Sequence, residues 1–298
     1  MRDNRVTLRE LIAAPEILVM PGIYDGYSAR MVARAGFSAA FITGAGVSEA
    51  GLGWADVGVM SYEENLRVCR AIVGCFDLPT IADADTGYGN AVNVHFTVRG
   101  FEQAGVSGIM IEDQVWPKRC GHMKGKAVIS AEEATDKIRA AAEARRNPQF
   151  VVMSRTDTLA THGLSEVIRR LNLFAEAGAD LLFADALLTV EEIRTVAGAV
   201  SKPLTVNMGF GIRRRSTTPL LSAAELQELG VAVAIYPRLL TAAALQGMNN
   251  AIAAFREMLA TGKAIDRPDL LVSFEELNDL LGGGELRRLE ERFVRKAQ

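Results

Sequence analysis

Four segments of the chain share one pattern of hydrophobic and polar positions: the end of an amphipathic helix, a glycine, and then a short apolar run. The glycines are Gly36, Gly105, Gly178 and Gly230. Glycine suits this position because many helices end on a residue in the left-handed conformation. The apolar run that follows is too short for a helix and has the length of a strand buried on both faces. The pattern therefore predicts the second half of a repeated strand and helix unit.

Further apolar runs lie between these segments, at residues 16–20, 78–83, 150–157 and 202–207. Together the runs predict eight parallel strands that alternate with about eight helices, and a sheet of eight strands can close into a filled barrel. We therefore predict an α/β fold, a (β/α)8 TIM barrel, over residues 1–260. A doubly wound open sheet is the alternative, but no GxGxxG sequence follows the first strand, as a dinucleotide site would require.

Residues 261–298 form a predicted helical extension, with helical periodicity on both sides of Gly282, Gly283 and Gly284. Two helices beyond a complete barrel need an apolar surface to cover. We therefore predict that this extension packs on a neighbouring subunit.

Composition excludes several classes of protein. The 298 residues include 33 Lys and Arg against 36 Asp and Glu, a net charge of -3, which argues against a dedicated nucleic-acid-binding protein. A hydrophobic fraction of 49% argues against disorder. The three cysteines form no CxxC pair, which favours a reducing cytoplasm, and the charged first ten residues do not resemble a signal peptide. We predict a cytoplasmic protein with no membrane segment.

Polar residues follow the predicted strands, where TIM barrels carry their chemistry. Asp83 and Asp85 follow strand 3, two residues apart on a chain that we predict to be extended, so that both side chains leave the same face. Paired carboxylates need a shared proton or a cation, and Mg2+ or Mn2+ is the ordinary solution. Glu112 at the next strand exit strengthens this prediction. The alternative is that the aspartates cap a helix or a turn in a solvated loop.

The run after strand 4 places Cys120 among three potential cations, Lys118, Arg119 and His122. Cations stabilise a thiolate, so Cys120 is a candidate proton donor or acceptor, although it could be only a small residue in a basic loop. We interpret Cys69 and Cys75 as inert core thiols. A metal role for Cys120 and His122 is disfavoured, because the remaining histidines show no ligand spacing.

The sequence Thr43-Gly44-Ala45-Gly46 after strand 2 offers consecutive backbone N–H groups that could bind a carboxylate or a phosphate. An ordinary glycine-rich turn is the alternative. The remaining strand exits contribute Arg155 and Asp157, Asp185, and Asn207.

Taken together, these motifs resemble the isocitrate lyase and phosphoenolpyruvate mutase superfamily over residues 8 to 294. The resemblance rests on PGIYDGYSA, TGAG, ADADTGYGN, IEDQVWPKRCGHMKGK, SRTD, NM and AIYP, in the order and spacing of that superfamily. It implies a barrel whose last helix is exchanged between subunits in a homotetramer, a dimer of helix-swapped dimers. It also implies a small carboxylic acid as substrate and Mg2+ as cofactor, with no nucleic-acid or membrane partner.

The resemblance also implies roles for individual residues. Metal binding would fall to Asp83, Asp85, Glu112 and Asp56, partly through water. Substrate binding would involve Thr43, Gly44, Ala45, Asp56, Gly121, Asn207 and Thr218. The catalytic candidates are Cys120, Arg155, Lys118, His122, Tyr24 and Asp185, with Tyr24, Asp185 or a metal-bound water as the group that takes the hydroxyl proton.

Three positions depart from the superfamily pattern. Asp185 replaces the glutamate usual in its lyases, Phe41 replaces a tyrosine, and a longer loop after Met208 carries Arg213, Arg214 and Arg215. These arginines either contact an additional anionic group or belong to a solvated loop.

The resemblance implies a Mg2+-dependent carbon-carbon lyase, an oxo-acid-lyase. Its substrate would be a substituted malate or isocitrate-like 2-hydroxy acid, of the 2-methylisocitrate or 2,3-dimethylmalate type, and its products an α-keto acid and a carboxylic acid. The alternatives are a phosphorus-carbon mutase that acts on carboxyphosphonoenolpyruvate, an oxaloacetate hydrolase or decarboxylase, and a barrel that binds a small acid without turnover.

Overall fold

A computed structural model describes residues 6–120, 125–210 and 218–294. Eight parallel strands form a closed barrel in sequence order, with the first strand paired to the last. This arrangement confirms the predicted (β/α)8 barrel. The strands are β1 (Leu18–Ile23), β2 (Ala40–Ile42), β3 (Thr80–Asp83), β4 (Gly108–Glu112), β5 (Val151–Thr156), β6 (Leu181–Ala184), β7 (Leu204–Asn207) and β8 (Val233–Tyr236).

Helices surround the barrel and continue beyond it. Most begin at a side-chain cap, as at Ser61, whose hydroxyl accepts from the amide of Glu64 while the Glu64 carboxylate accepts from the amide of Ser61. The helices are α1 (Leu8–Ala13), α2 (Gly26–Arg34), α3 (Gly44–Gly46) with a π-helix directly after it (Val47–Leu52), α4 (Tyr62–Cys75), α5 (Ala91–Ala104), α6 (Ala131–Ala144), α7 (Leu159–His162), α8 (Leu164–Glu176), α9 (Val190–Ala199), α10 (Ala223–Glu228), α11 (Leu239–Thr261), α12 (Phe274–Leu280) and α13 (Gly283–Phe293).

The four glycines of the repeated pattern all have positive φ angles: 83° at Gly36, 97° at Gly105, 107° at Gly178 and 87° at Gly230. Each of them follows a helix and precedes a barrel strand by a few residues. The left-handed turn predicted from the sequence is therefore present in all four repeats.

The barrel interior is filled by side chains, and a second apolar layer separates the strands from the helices. Among the interior residues are Met20, Phe41, Met110 and Phe183, none more than 1% exposed. The outer layer contains most of the remaining apolar core, for example Phe101 on α5 and Phe174 on α8. A filled barrel leaves no channel through it, so a substrate can be held only at one of its ends.

Helix α1 closes the amino-terminal end of the barrel. Leu8 and Ile12 are buried in the same apolar cluster as the barrel interior. Arg9 forms an ion pair of 2.8 Å with Asp180 and donates to the carbonyl of Phe150 at 3.1 Å. The opposite end, where the strands terminate, is left for chemistry.

The chain divides into two compact units, residues 1–240 and residues 241–298. The second unit therefore begins within α11, whereas the sequence analysis assigned residues 1–260 to the barrel domain. Helices α12 and α13 lie on either side of Gly282, which has a φ of 76°, as the helical periodicity predicted. Across the described part of the chain, no helix has the length and apolar character needed to cross a membrane.

Candidate active site

A pocket opens at the carboxyl ends of the barrel strands. Among the residues that line it are eight of the predicted site residues: Thr43, Ala45, Asp56, Asp83, Cys120, Arg155, Asp185 and Asn207. Its apolar lining includes Phe41, Met110, Phe183 and Ile235, which also belong to the filled interior of the barrel. The floor of the pocket is therefore the uppermost layer of the core.

Asp83 and Asp85 lie together, but not for the reason that the sequence suggested. Strand β3 ends at Asp83, and Asp85 has a φ of 48°, so the chain turns instead of remaining extended. The turn brings the amide of Asp85 to within 3.0 Å of Oδ1 of Asp83. Both side chains are buried, at 7% and 1% exposure. The prediction of an extended chain was wrong, and the carboxylates are brought together by a left-handed turn.

Lys118 lies among the acidic residues. Its ammonium forms an ion pair with Asp56 and another of 2.9 Å with Asp85, and the residue is 4% exposed. Burial alone would lower the pKa of Lys118, but the surrounding carboxylates hold that pKa well above its ordinary value. Lys118 therefore stays charged and neutralises part of the negative charge in this cluster.

The remaining negative charge fits a divalent cation. Oδ2 of Asp85 and Oε1 of Glu112 are buried without a hydrogen-bond partner among the described residues. Burial, only partly offset by Lys118, raises the pKa of Asp85 to about 7, and it also raises the pKa of Glu112. Unpartnered carboxylate oxygens are the donors that Mg2+ prefers, and that ion ordinarily takes one or two carboxylates and keeps several waters.

Within the described ranges, no three Asp, Glu, His or Cys side chains are arranged to hold a metal by themselves. A hydrated Mg2+ ion does not require such a group, because it keeps several waters.

Arg155 is held rigidly by carboxylates from three consecutive strand ends. Its Nε and Nη2 atoms each donate to the carboxylate of Asp157 at 2.8 Å. Nη2 also lies 3.0 Å from Asp185, and Nε lies 3.3 Å from Glu112. The guanidinium also lies 5.3 Å from the ring centre of Phe183. A bidentate pair fixes the plane as well as the position of a guanidinium, so Arg155 presents a fixed cation to the pocket.

Lys126 reinforces this arrangement from the segment after Cys120. Its ammonium lies 2.8 Å from Asp157 and 3.4 Å from Asp185. Burial opposes ionisation of Asp157, but Arg155 and Lys126 outweigh burial and hold the pKa of Asp157 below its ordinary range. Asp157 is therefore a permanent anion between two cations.

Cys120 lies on the wall of the pocket beside a different cation. A terminal nitrogen of Arg238 donates to Sγ of Cys120 at 3.4 Å, and another nitrogen of Arg238 binds both carboxylate oxygens of Glu49 at 2.6 Å. The preceding residue, Arg119, exchanges two hydrogen bonds with the side-chain amide of Gln114, at 2.9 and 3.0 Å. The backbone next to the thiol is thus anchored to the end of β4.

In the glycine turn after β2, two of the backbone N–H groups donate to side chains, and anion binding by this turn stays a prediction. Thr43 caps α3 by accepting from the amide of Gly46 at 3.3 Å, and the amide of Gly44 donates to Oδ2 of Asp83 at 3.3 Å. Thr43 and Ala45 line the pocket, whereas the amide of Gly44 is used to hold an acidic residue.

The other predicted residues are distributed as follows. Tyr24 packs partly buried against the outer core and is not among the residues that line the described pocket. Thr218 is buried at 6% exposure, also outside that lining. Gly121, His122 and the three arginines at 213–215 lie outside the described residues, so their predicted roles stay predictions.

Sequence reasoning missed Lys126, Arg238 and Glu49. Arg238 lies two residues after the end of β8. Polar residues at the carboxyl ends of the other strands were predicted as site residues, and the same criterion applied to the last strand would have identified Arg238. Lys126 and Glu49 lie in segments whose positions depend on the folding of long connections, and the sequence carries no local signal for them.

Known proteins resemble the chain along most of its length. A family model described as phosphoenolpyruvate phosphomutase matches residues 8–256. The 2,3-dimethylmalate lyase of Eubacterium barkeri is 40% identical over 98% of this chain and 99% of that protein. A 2-methylisocitrate lyase of Aeropyrum pernix is 37% identical over 98% of this chain and 92% of its own length.

Solved structures extend the comparison. An oxaloacetate acetylhydrolase bound to the inhibitor 3,3-difluorooxalacetate matches with a TM-score of 0.90 and 30% identity, over 98% of this chain and 97% of that one. A phosphonopyruvate hydrolase in complex with oxalate and Mg2+ matches with a TM-score of 0.83 and 29% identity, over 97% and 98% of the two chains.

Proposed function

Because this chain belongs to the phosphoenolpyruvate phosphomutase family of enzymes, within the superfamily that its motifs indicated, we propose that it is a Mg2+-dependent carbon-carbon lyase. Its substrate would be a substituted malate or isocitrate-like 2-hydroxy acid, and its products an α-keto acid and a carboxylic acid. The observation that carries this proposal is that Asp83, Arg155 and Cys120 line one pocket. A metal-binding acid, a cation for an oxyanion and a proton donor are three of the groups that such a cleavage needs, besides a base for the hydroxyl proton.

The acidic cluster would hold the metal. Asp83, Asp85, Glu112 and Asp56 are the residues that would hold Mg2+, partly through water, and the bound ion would acidify the substrate hydroxyl and orient its carboxylate. Lys118 limits the excess negative charge of the cluster through its ion pairs with Asp56 and Asp85.

Arg155 would bind the substrate oxygen that becomes the carbonyl oxygen. Carbon-carbon cleavage turns the hydroxyl carbon into a carbonyl carbon, and the hydroxyl proton leaves to a base. Because Asp157 fixes the guanidinium in place, Arg155 can stabilise this oxygen without reorganising during the reaction. Of the side chains suggested for the base, Asp185 lines the pocket and Tyr24 does not.

Cys120 would complete the reaction. The electron pair of the broken bond stays on the carbon next to the second carboxylate, and the thiol of Cys120 gives its proton to that carbon. The thiolate that remains faces the guanidinium of Arg238 at 3.4 Å, which would stabilise its charge.

A substrate panel tests this proposal directly. The enzyme is assayed with Mg2+ on 2,3-dimethylmalate, 2-methylisocitrate, oxaloacetate and phosphonopyruvate, with release of keto acid and the 31P spectrum as readouts. Keto acid release from a 2-hydroxy acid supports the lyase. Turnover confined to phosphonopyruvate or oxaloacetate would replace it with a mutase or hydrolase, and no turnover with any substrate would favour a binding protein.

We also propose that the second unit packs on another copy of the chain. Helix α11 exposes Leu245, Met248, Ile252, Phe255 and Leu259, each more than half exposed in the described chain. Their alternating spacing of three and four residues places them on one helical face. Helix α13 likewise exposes Leu286 and Phe293. Apolar faces of this extent are typical of protein interfaces, which supports the oligomer implied by the sequence motifs.

A further inference from the structure

Asp113 has a buried carboxylate that the proposed mechanism does not use. It follows β4 directly and is 2% exposed. One of its oxygens accepts from the amide of Asp157 at 2.9 Å, and the other accepts from the hydroxyl of Thr156 at 2.6 Å. Asp113 therefore binds the two residues at the exit of β5 that follow Arg155.

These contacts continue the sheet beyond its last regular pairing. The register of β4 and β5 ends with Glu112 opposite Arg155, and no further ladder pair of these strands supports Asp157. The carboxylate of Asp113 accepts a hydrogen bond from the amide of Asp157, in place of a backbone carbonyl of β4. On the β4 side, the position of Asp157, which binds Arg155 through two hydrogen bonds, is therefore supported by a side chain.

Arg170 anchors Asp113 from outside the barrel. It lies on α8, is 4% exposed, and donates to Oδ2 of Asp113 at 3.0 Å and to the carbonyl of Ile129 at 2.9 Å. Its Nε binds Glu166 on the same helix at 2.9 Å. A continuous series of contacts thus joins a helix on the outer layer to the cation in the pocket.

From this series of contacts we propose that Asp113 and Arg170 are positioning residues, which hold Arg155 in its reactive orientation through Asp157. The inference rests on the proposed function, because it assumes that Arg155 acts on the substrate. A displacement of about 1 Å in a group that orients substrate can lower the rate by about 10²-fold. We therefore expect Asp113→Asn to lower kcat/KM by about 10²-fold, because an amide cannot replace both carboxylate acceptors.

Strand β5 also supplies a matched control. At its beginning, Asp180 accepts from the amide of Val152 at 3.0 Å and forms an ion pair of 2.5 Å with Arg145. Like Asp113, Asp180 joins a backbone amide of β5 to an arginine, but at the end of the strand away from the pocket. Arg145→Met should lower the melting temperature and change kcat/KM less than about threefold.

The decisive experiment is a double-mutant cycle that combines Asp113→Asn with Arg155→Gln. If Asp113 acts through Arg155, its substitution should change kcat/KM less than about threefold once Arg155 is gone. If Asp113 had only a structural role, Asp113→Asn would lower kcat/KM by the same factor in the presence and in the absence of Arg155. That result would overturn the inference. Should Arg155→Gln lower turnover below detection, the same cycle is measured on the affinity for oxalate in the presence of Mg2+.

Further variants distinguish a failure of the positioning inference from a failure of the proposed role of Arg155. Thr156→Val removes one contact to Asp113 with little change in volume, and it should show the same dependence on Arg155 if Asp113→Asn folds poorly. If Arg155→Gln retains full activity, the proposed role of Arg155 fails. If Arg155→Gln lowers activity while the effects of Asp113→Asn and Arg155→Gln on kcat/KM are additive, only the positioning inference fails.

Discussion

The amide of Gly44 donates to Oδ2 of Asp83 at 3.3 Å, and a methyl group added to Gly44 would lie 2.8 Å from that same oxygen. Glycine at this position therefore lets the backbone after β2 approach the carboxylate of Asp83, which we propose to bind metal. Gly44→Ala should displace Asp83 and weaken Mg2+ binding by at least about tenfold, roughly one lost hydrogen bond to a charged group.

Calorimetric titration with Mg2+ measures this effect. Gly51→Ala is the control, because an added Cβ at Gly51 would meet no described atom within 4 Å. Equal Mg2+ affinity in the Gly44→Ala variant and in the unmodified protein would contradict the assignment of Asp83 as a ligand.

Cys120→Ser should lower kcat by about 10² to 10⁴-fold, because a serine hydroxyl is a much weaker acid than a thiol and general acid catalysis commonly contributes this much. The KM should change little, since the thiol acts on the carbanion rather than on the bound substrate. Steady-state kinetics measures both constants. Cys75→Ser, at a half-buried thiol on α4, is the control, and unchanged turnover after Cys120→Ser would remove the thiol from the mechanism.

Removal of divalent metal should abolish activity, and addition of Mg2+ should restore it. Independently of activity, Asp85→Asn should reduce the affinity for Mg2+ measured by calorimetry, because an amide loses the negative charge that the ion requires. Asp269→Asn, at an exposed ion pair with Arg267, should leave that affinity unchanged. Full activity after exhaustive chelation would exclude the metal from the reaction.

Ile252→Glu should dissociate the proposed oligomer, because it places a charge within the exposed apolar face of α11. Light scattering coupled to gel filtration gives the molar mass. Asn250→Glu introduces the same charge on the opposite side of the helix and should preserve the assembly. A monomeric unmodified protein would contradict the proposed packing between copies.

Gly108→Ala should destabilise the barrel by about 1 to 3 kcal/mol, since its Cβ would lie 2.5 Å from the carbonyl oxygen of Val151 and overpacking costs about this much. Gly74→Ala, in α4 where the added atom meets nothing described within 4 Å, should instead stabilise by up to about 1 kcal/mol. Denaturant unfolding measures both, and a neutral effect of Gly108→Ala would show that the strands can separate at this point.

Local patterns predicted the barrel well. The four glycine turns and the eight apolar runs depend on neighbours within a few residues, and the structure contains all of them. Because parallel strands end at one face, the strand exits also predicted that Asp83, Arg155 and Asp185 would meet in one pocket.

The pairing of charges within that pocket could not be predicted in this way. The ion pair of Lys118 with Asp56 and the contact of Arg238 with Cys120 join residues that are distant in sequence. Such contacts depend on the paths of whole connections across the barrel rim. The turn at Asp85 was missed for a different reason, because its positive φ occurs at a residue type that adopts it only occasionally.

Four apolar side chains on the floor of the candidate active-site pocket also pack the interior of the barrel. Phe41, Met110, Phe183 and Ile235 are each 1% exposed and belong to its interior. Any evolutionary change that reshapes this floor for a new substrate therefore disturbs the packing of the barrel interior. New specificities should arise more readily from the connections above the pocket, whose residues can vary without weakening the architecture that carries the reactive groups.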